Sequence, residues 1–253
     1  MKVTVLGSGT GIPMTNRQPA GYLLQCGSGL FQQNILVDCG TGTLTQLAHL
    51  GIHVEALDHL FITHQHVDHI GGLWALTHLL RFPQVQREKP LTFWGPPGFR
   101  DFYHSYVVPV AGLPDRFKFD VRDVESRLML DDVAVLSRPT VHTQRLNSVA
   151  YRFEEGGRSV VFSGDSSYEP GIVQFCSGAD MALLDCSSLD HARIKGHMSA
   201  RECGLVAAEA GVDRLILTHL YPIPEGDEAR LEACRAVYEG SVTLAEELVP
   251  VSL

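Results

Sequence analysis

Between Thr63 and Gly72 the chain reads Thr-His-Gln-His-Val-Asp-His-Ile-Gly-Gly, which sets the imidazoles of His64, His66 and His69 and the carboxylate of Asp68 within six positions. Neutral imidazole nitrogens and a carboxylate are donors that a borderline dication such as Zn²⁺ accepts, usually four at a time. One such stretch cannot close two sites. His64 and His66, two apart, can point to one side of an extended turn, whereas Asp68 and His69 are adjacent and have to face a second ion. A lone histidine on a loop would read as solvated surface or a pH-sensitive patch. Four donors at this spacing, flanked by a strand and by Gly-Gly, read as a metal site. Leu57–Ile62 before the motif is a short apolar strand and Leu73–Leu80 after it has helical spacing. The donors are therefore expected on the loop leaving a strand's carboxyl end, where α/β folds carry their chemistry.

His64-x-His66-x-Asp68-His69 resembles the signature of the metallo-β-lactamase superfamily, and the other positions of that pattern are filled in order. His142 in Pro-Thr-Val-His-Thr resembles its next histidine ligand, Asp165 in Phe-Ser-Gly-Asp-Ser the carboxylate bridging both metals, and His219 in Ile-Leu-Thr-His-Leu the last histidine. Each follows an apolar run: Val133–Leu136, Ser159–Phe162 and Arg214–Leu217. The resemblance covers nearly the whole chain. It implies a four-layer αββα sandwich and two divalent ions, one held by His64, His66, His142 and Asp165, the other by Asp68, His69, Asp165 and His219. Zn²⁺ suits these donors, and Mn²⁺, Fe²⁺ or Ni²⁺ in one position fits almost as well. A water held between two dications becomes a hydroxide at neutral pH, which implies hydrolysis. The resemblance also places Asp38, in Leu-Val-Asp-Cys-Gly, and Thr63 behind the ligands, holding a histidine or the loop backbone. The alternative for Asp38 is an ordinary helix-start or turn acid.

Gly-His197-Met-Ser-Ala resembles a motif of the tRNA 3′-processing endonucleases, the ribonuclease Z group, in which a histidine that is not a ligand protonates the leaving group or stabilises developing charge. That group pairs the histidine with a glutamate after the preceding strand; here Ala182-Leu183-Leu184 ends in Asp185. An acid there would orient His197 and raise its pKa toward a useful general-acid value. Asp68, His197 and Asp185 are thus the candidate catalytic residues. Ser199 also reads as a helix N-cap, which leaves His197 the alternative of a helix-start residue without a catalytic role. The ribonuclease Z group usually grips tRNA with a long Gly/Pro-rich arm, often between the positions matching His142 and Asp165. Residues 143–164 alone fill that interval and are needed for two strands. The expected function is a ribonuclease Z-like phosphodiesterase acting on a small or cyclic phosphodiester. True tRNA processing is the runner-up, followed by thioester or lactone hydrolysis and a non-catalytic metal-binding sensor module.

The elements that must position these residues alternate. Strands are expected near 2–6, 21–25, 34–38, 57–62, 91–94, 116–121, 132–137, 147–153, 158–163, 180–185, 213–218 and 241–249. Helices are expected near 43–50, from about 72, within 97–107, and near 170–176, 199–210 and 226–239. Two similar halves of this kind imply two packed sheets with helices outside. With 253 residues, no Ser/Pro/Gly linker and no shift in composition, the chain is read as one domain, 1–253. The net charge of -9 suggests a soluble protein and counts against an extended nucleic-acid footprint. Met1 leads directly into the first strand with no signal-peptide-like run and no membrane span, so a cytoplasmic location is expected. Six scattered cysteines without Cys-x-x-Cys suggest buried small hydrophobes rather than disulfides or a thiolate site. Gly7-Ser8-Gly9-Thr10-Gly11 lacks the spacing of a dinucleotide loop and reads as a tight turn at the rim of the site. The aromatic stretch from Phe99 to Phe119 reads mainly as core, with a substrate wall or dimer face as alternatives; a homodimer is implied by resemblance alone.

Overall fold

The computed structural model describes residues 1–27 and 32–253. The first sheet is built from β1 (Lys2–Gly7), β2 (Gly21–Cys26), β3 (Gln33–Val37), β4 (His59–Phe61), β5 (Leu91–Gly95) and β6 (Phe119–Asp123). The second takes β7 (Arg127–Leu130), β8 (Val133–Pro139), β9 (Val149–Glu155), β10 (Arg158–Phe162), β11 (Met181–Asp185), β12 (Arg214–Thr218) and β13 (Ser241–Leu244). The last strand, β14 (Pro250–Ser252), returns to pair with β1, so the orders are β14-β1-β2-β3-β4-β5-β6 and β13-β12-β11-β10-β9-β8-β7.

The strands are apolar on both faces because both faces are covered. Leu24, Ile35, Val37 and Phe61 of the first sheet meet Val135, Phe153, Phe162 and Leu183 of the second in one central core. The alternate residues Leu23, Leu36, Leu60 and Phe93 face outward beneath α1 (Thr43–His49) and α3 (Leu73–Leu79). On the other side Val161, Leu184, Leu215 and Leu217 lie under α6 (Pro170–Phe175), α7 (Ala200–Ala210) and α8 (Asp227–Arg235). The layers are therefore helix, sheet, sheet, helix, the αββα sandwich expected.

The direction of the strands decides where the chemistry collects. β3, β4, β5 and β6 run parallel, as do β10, β11, β12 and β13. The carboxyl ends of β3, β4, β10, β11 and β12, which lead to or carry Asp38, His64, Asp165, Asp185 and His219, thus gather on one rim. Hydrogen bonds cross the rim between the sheets: Val149 N–H to the Thr63 carbonyl at 3.0 Å, Leu220 N–H to the Ser8 carbonyl at 2.8 Å, and the Tyr151 hydroxyl to the Ile62 carbonyl at 2.8 Å.

Several elements differ from the sequence reading. The motif is not wholly loop: Val67–Ile70 forms a single helical turn, α2, with His66 at its N-cap. About 100° of rotation per residue separates Asp68 from His69 on that turn, so adjacent side chains leave it in different directions. The turn presses against residues 39–41, where a Cβ on Gly72 would come within 2.7 Å of the Gly40 carbonyl. β7 was not expected; it is a four-residue edge strand joined to β8 by Asp131-Asp132, with Asp131 at φ 49. That two-residue connection is too short to stand out in composition. The final strand read as 241–249 ends at Leu244 as β13, and β14 follows beyond that range on the other sheet. Glu247 between them turns inward to accept from Ser8 N–H, the Ser8 hydroxyl, Gln18 N–H and Gln46 Nε2 at 2.8–2.9 Å. The helix expected within 97–107 continues through a π turn to α5 (Val108–Ala111), after α4 (Phe99–Phe102). Phe99 and Tyr103 are core residues there, while Tyr106 and His104 are exposed.

Candidate metal centre

Two groups of donors converge on the rim. His64 Nε2 and His142 Nε2 each lie 3.0 Å from His66 Nδ1, and both lie 3.5 Å from Asp165 Oδ2. On the other side His69 Nε2 lies 3.2 Å and His219 Nε2 3.4 Å from Asp165 Oδ1, and His219 Nε2 lies 3.3 Å from Asp68 Oδ2. The four donor atoms of the first group lie within 4.8 Å of one another, as do those of Asp68, His69 and His219 in the second, and Asp165, Asp185, His197 and His219 make a third set that meets the same limit. A tetrahedral ion with bonds of about 2.0–2.1 Å has donor–donor edges of about 3.3–3.4 Å, so the spacing fits. Asp165 turns one oxygen toward each group.

For His142 and His69 the far side of the ring settles which nitrogen points inward. His142 Nδ1–H donates to the Gly196 carbonyl at 2.9 Å and His69 Nδ1–H to Asp38 Oδ2 at 2.8 Å. The neutral ring then carries its lone pair on Nε2, toward the common point. Three inward ring nitrogens at 3.0 Å cannot all be satisfied by hydrogen bonds to each other. His69 Nε2 and Asp165 Oδ1 are in fact buried without a hydrogen-bond partner among the described residues. Buried polar atoms are normally paired, and a cation at the focus between His69, His219 and Asp165 would supply the missing partner.

Electrostatics lead to the same conclusion. Asp38, Asp165 and Asp185 are buried and Asp68 nearly so. Burial and the neighbouring His69 imidazole push the His64 pKa well below its ordinary value, which keeps it a neutral donor. Burial would lower His219, but Asp165, Asp185 and Asp68 raise it to about 10. Burial would raise Asp165, but His219, His69 and His64 hold it well below the carboxylate range. The acids thus draw positive charge into the rim, and protons and metal ions compete for the same inward nitrogens.

The supporting residues stand where the backbone is constrained. Asp38, wholly buried, sits at φ 57 and accepts from Thr63 N–H at 2.8 Å and from the Thr63 hydroxyl at 2.9 Å. His219 is at φ 54. Left-handed positions without glycine cost energy and cluster at functional sites. Gly196 has φ +89, and a Cβ there would lie 2.4 Å from the His142 carbonyl oxygen.

His197 lies outside both donor groups in its hydrogen bonding. Its Nδ1–H donates to Asp185 Oδ2 at 2.8 Å, its ring stacks on His219 with centroids 5.3 Å apart, and it lines the cleft beside His142. Burial would lower its pKa, but the Asp185 charge and hydrogen bond outweigh that and raise it. Asp185 is held by the Ser187 hydroxyl at 2.6 Å and Ser166 N–H at 3.3 Å. Ser199 caps α7 in a capping box with Glu202, which fixes the loop carrying His197.

Three contributors escaped the sequence reading. The Gly196 carbonyl orients His142, and the Ser187 hydroxyl holds Asp185. Tyr221 packs against both His197 and His219, with burial pushing its phenol up to about 12. Gly196 sat in the quoted Gly-His pair, but a carbonyl's direction has no sequence signal. Tyr221 follows His219 by two positions and carried none either. The turn at Gly7–Gly11 lies beside Asp68, as a rim turn would; the six cysteines are free and buried. No helix among the described residues is long and apolar enough to cross a membrane.

Known proteins share this arrangement of chain. The model of the beta-lactamase superfamily domain matches residues 33–220. A ribonuclease Z of Methanothermobacter thermautotrophicus is 29% identical over 307 residues, covering 100% of this chain and 97% of that protein. The probable metallo-hydrolase YhfI of Bacillus subtilis is 30% identical over 255 residues, covering 97% of both. A YhfI crystal structure matches with a TM-score of 0.84 over 99% of each chain at 27% identity. The short form of human tRNase Z matches with a TM-score of 0.78 at 26% identity, covering 100% of this chain and 99% of that one.

Proposed function

The chain belongs to the beta-lactamase superfamily domain family and is a ribonuclease Z-like metallo-hydrolase that binds divalent metal; from that premise we propose that it is a dinuclear phosphodiesterase cutting a small or cyclic phosphodiester. The observation that carries this reading is Asp165, whose two oxygens face two separate donor groups, beside a histidine that belongs to neither. In this reading His64, His66, His142 and Asp165 hold one ion and Asp68, His69, Asp165 and His219 the other, with Zn²⁺ the metal that best suits the donors. Such ions activate water and take up charge on the phosphoryl oxygens. Asp185 keeps the His197 Nδ1 proton and leaves Nε2 to deliver a proton to the departing alkoxide. Asp38 and Thr63 hold His69 and the motif backbone in register.

The preference for a small substrate over tRNA is supported by what fills residues 143–164. They contain β9 and β10 and the turns around them, which leaves no segment for a tRNA-gripping arm in that interval. The charge of -9 argues the same way. The ribonuclease Z relatives keep tRNA processing as the second reading. The whole chain, 1–253, is read as one unit, since β14 near its end pairs with β1.

Hydrolysis of bis-p-nitrophenyl phosphate, a 2′,3′-cyclic nucleotide and a 3′-extended pre-tRNA by metal-loaded protein, with Asp68→Ala as the blank, tests this. Cleavage of the small diesters without the pre-tRNA is expected. Cleavage of the pre-tRNA at its 3′ extension would establish the second reading, and no turnover of any of the three would move the reaction to thioesters or lactones or the protein to a binding role.

A further inference from the structure

The metal centre lies between two clefts, of which the one on the His142 side is the more polar. On the Asp68 side, Pro13, Met14 and Val67 line an apolar cleft of about 340 Å³, and Val67 is 72% exposed within it. On the His66 and His142 side is a cleft of about 750 Å³ whose floor includes both those histidines and His197 and whose walls carry Thr143, Gln144, Arg145 and Lys195.

Arg145 and Lys195 are the two basic side chains that line the cleft beside His142 and His197. The chain has 20 Lys and Arg against 29 Asp and Glu. Nine of the 20 basic side chains make an ion pair among the described residues, Arg17 with Asp227, Lys89 with Asp58, Arg122 with Asp120 and Arg158 with Asp180 among them, and eleven make none. Arg145 and Lys195 are exposed, come from separate loops, and make no ion pair among the described residues, yet line one cleft. The loops are not slack at these points. Gly196 next to Lys195 is tied to the His142 ring, and Asn147 near Arg145 donates to the Pro97 carbonyl at 2.8 Å.

The ions that Asp165 and its neighbours would hold would offset the acids of the centre and the single negative charge of a scissile diester. Two further cations facing the adjoining cleft are then left without a counter-charge. We propose that Arg145 and Lys195 bind a second phosphate of the substrate, one not being cleaved, so that the preferred substrate is a phosphodiester carrying an additional terminal phosphate while its less polar arm lies along Met14 and Val67. This rests on the phosphodiesterase reading above and narrows it. A guanidinium can take two oxygens of a phosphate and an ammonium a third. Arg145 and Lys195 are specificity residues in this assignment and touch neither the ions nor the scissile bond.

The test uses metal-loaded full-length protein and four substrates: bis-p-nitrophenyl phosphate, dithymidine monophosphate, and the same dinucleotide carrying a 5′- or a 3′-terminal phosphate. At least one terminally phosphorylated dinucleotide is expected to exceed the unphosphorylated one in kcat/KM by roughly tenfold, the value of one or two exposed charge-assisted hydrogen bonds. Arg145→Ala and Lys195→Ala should each remove most of that gain, mainly through KM, while bis-p-nitrophenyl phosphate turnover stays within about twofold of wild type. The gain should shrink as salt rises from low to physiological strength. Hydrolysis of bis-p-nitrophenyl phosphate with no preference among the dinucleotides, or with no dinucleotide cleaved, overturns the second-phosphate site and leaves the phosphodiesterase intact. A gain that survives in both variants overturns the assignment to these residues. No hydrolysis of any of the four by wild type overturns the phosphodiesterase reading and this proposal together.

Discussion

Asp185→Asn is the sharpest single test of how the rim is wired. Oδ2 accepts from His197 Nδ1–H at 2.8 Å and from Ser166 N–H at 3.3 Å; Oδ1 accepts from the Ser187 hydroxyl at 2.6 Å and lies 3.4 Å from His219 Nδ1. The amide is isosteric but must turn an NH₂ toward one of these sides. Facing His197, it puts donor against donor and forces the ring to carry its proton on Nε2 without an anion behind it. Facing His219, it favours the tautomer whose Nε2–H points at Asp165 and Asp68, where a metal ion needs the lone pair. The His197 contact is a charge-assisted hydrogen bond worth about 1.5–3 kcal/mol, so about 10- to 100-fold in kcat on an alkyl diester is at stake. Loss of support behind His219 should weaken metal affinity by about 10- to 100-fold. The assay is kcat on a dinucleotide at saturating metal, beside metal content by mass spectrometry across a metal titration. At saturation the affinity loss is repaired and the proton-delivery loss remains. Turnover of the alkyl diester within about twofold of wild type at saturating metal would refute the orienting role of Asp185.

Three further outcomes are expected. His197→Ala should cost about 10²–10⁴ in rate on an alkyl diester but much less on a nitrophenyl diester, whose leaving group needs little proton assistance; equal relative losses on the two would remove His197 as the acid. Gly196→Ala combines a positive φ with a Cβ 2.4 Å from the His142 carbonyl oxygen, so it should lower the melting temperature and the metal content together, by more than Gly98→Ala, which has nothing within 4 Å of its Cβ at φ +88. Burial lowers His59 to about 4, and its neutral Nδ1 accepts from Trp94 Nε1 at 3.3 Å. Between pH 4 and the ordinary histidine value the unfolded chain binds the proton that the folded chain refuses, so this contribution is present above that window and lost as pH falls through it. Urea titrations should therefore show His59→Gln losing less stability than wild type from pH 7 to 4.5, by up to about 1.4 kcal/mol per pH unit; parallel curves would contradict it.

Much of the centre is legible in the sequence because metal ligation needs particular atoms and leaves few residue types to supply them. His64, His66, Asp68 and His69 announce themselves by spacing, whereas His142, Asp165 and His219 come from the resemblance to the metallo-β-lactamase pattern, each after an apolar run of the kind a strand buried on both faces requires. The alternation of strands with helices was enough for the layered αββα class. Tertiary structure alone decided the rest. That Val67–Ile70 coils into a turn depends on the close fit of Gly72 against Gly40, a contact between segments far apart in the sequence. That Asp165 serves both donor groups depends on the separation of two sheets, which no local pattern encodes. Asp185 reaches His197 because β11 and the loop before α7 end on the same rim, and Arg145 meets Lys195 across one cleft for the same reason. Candidate donor atoms are properties of single side chains and can be read from the sequence, whereas the hydrogen bonds behind them and the charges beside them are distances between chain segments, set only when the sheets pack.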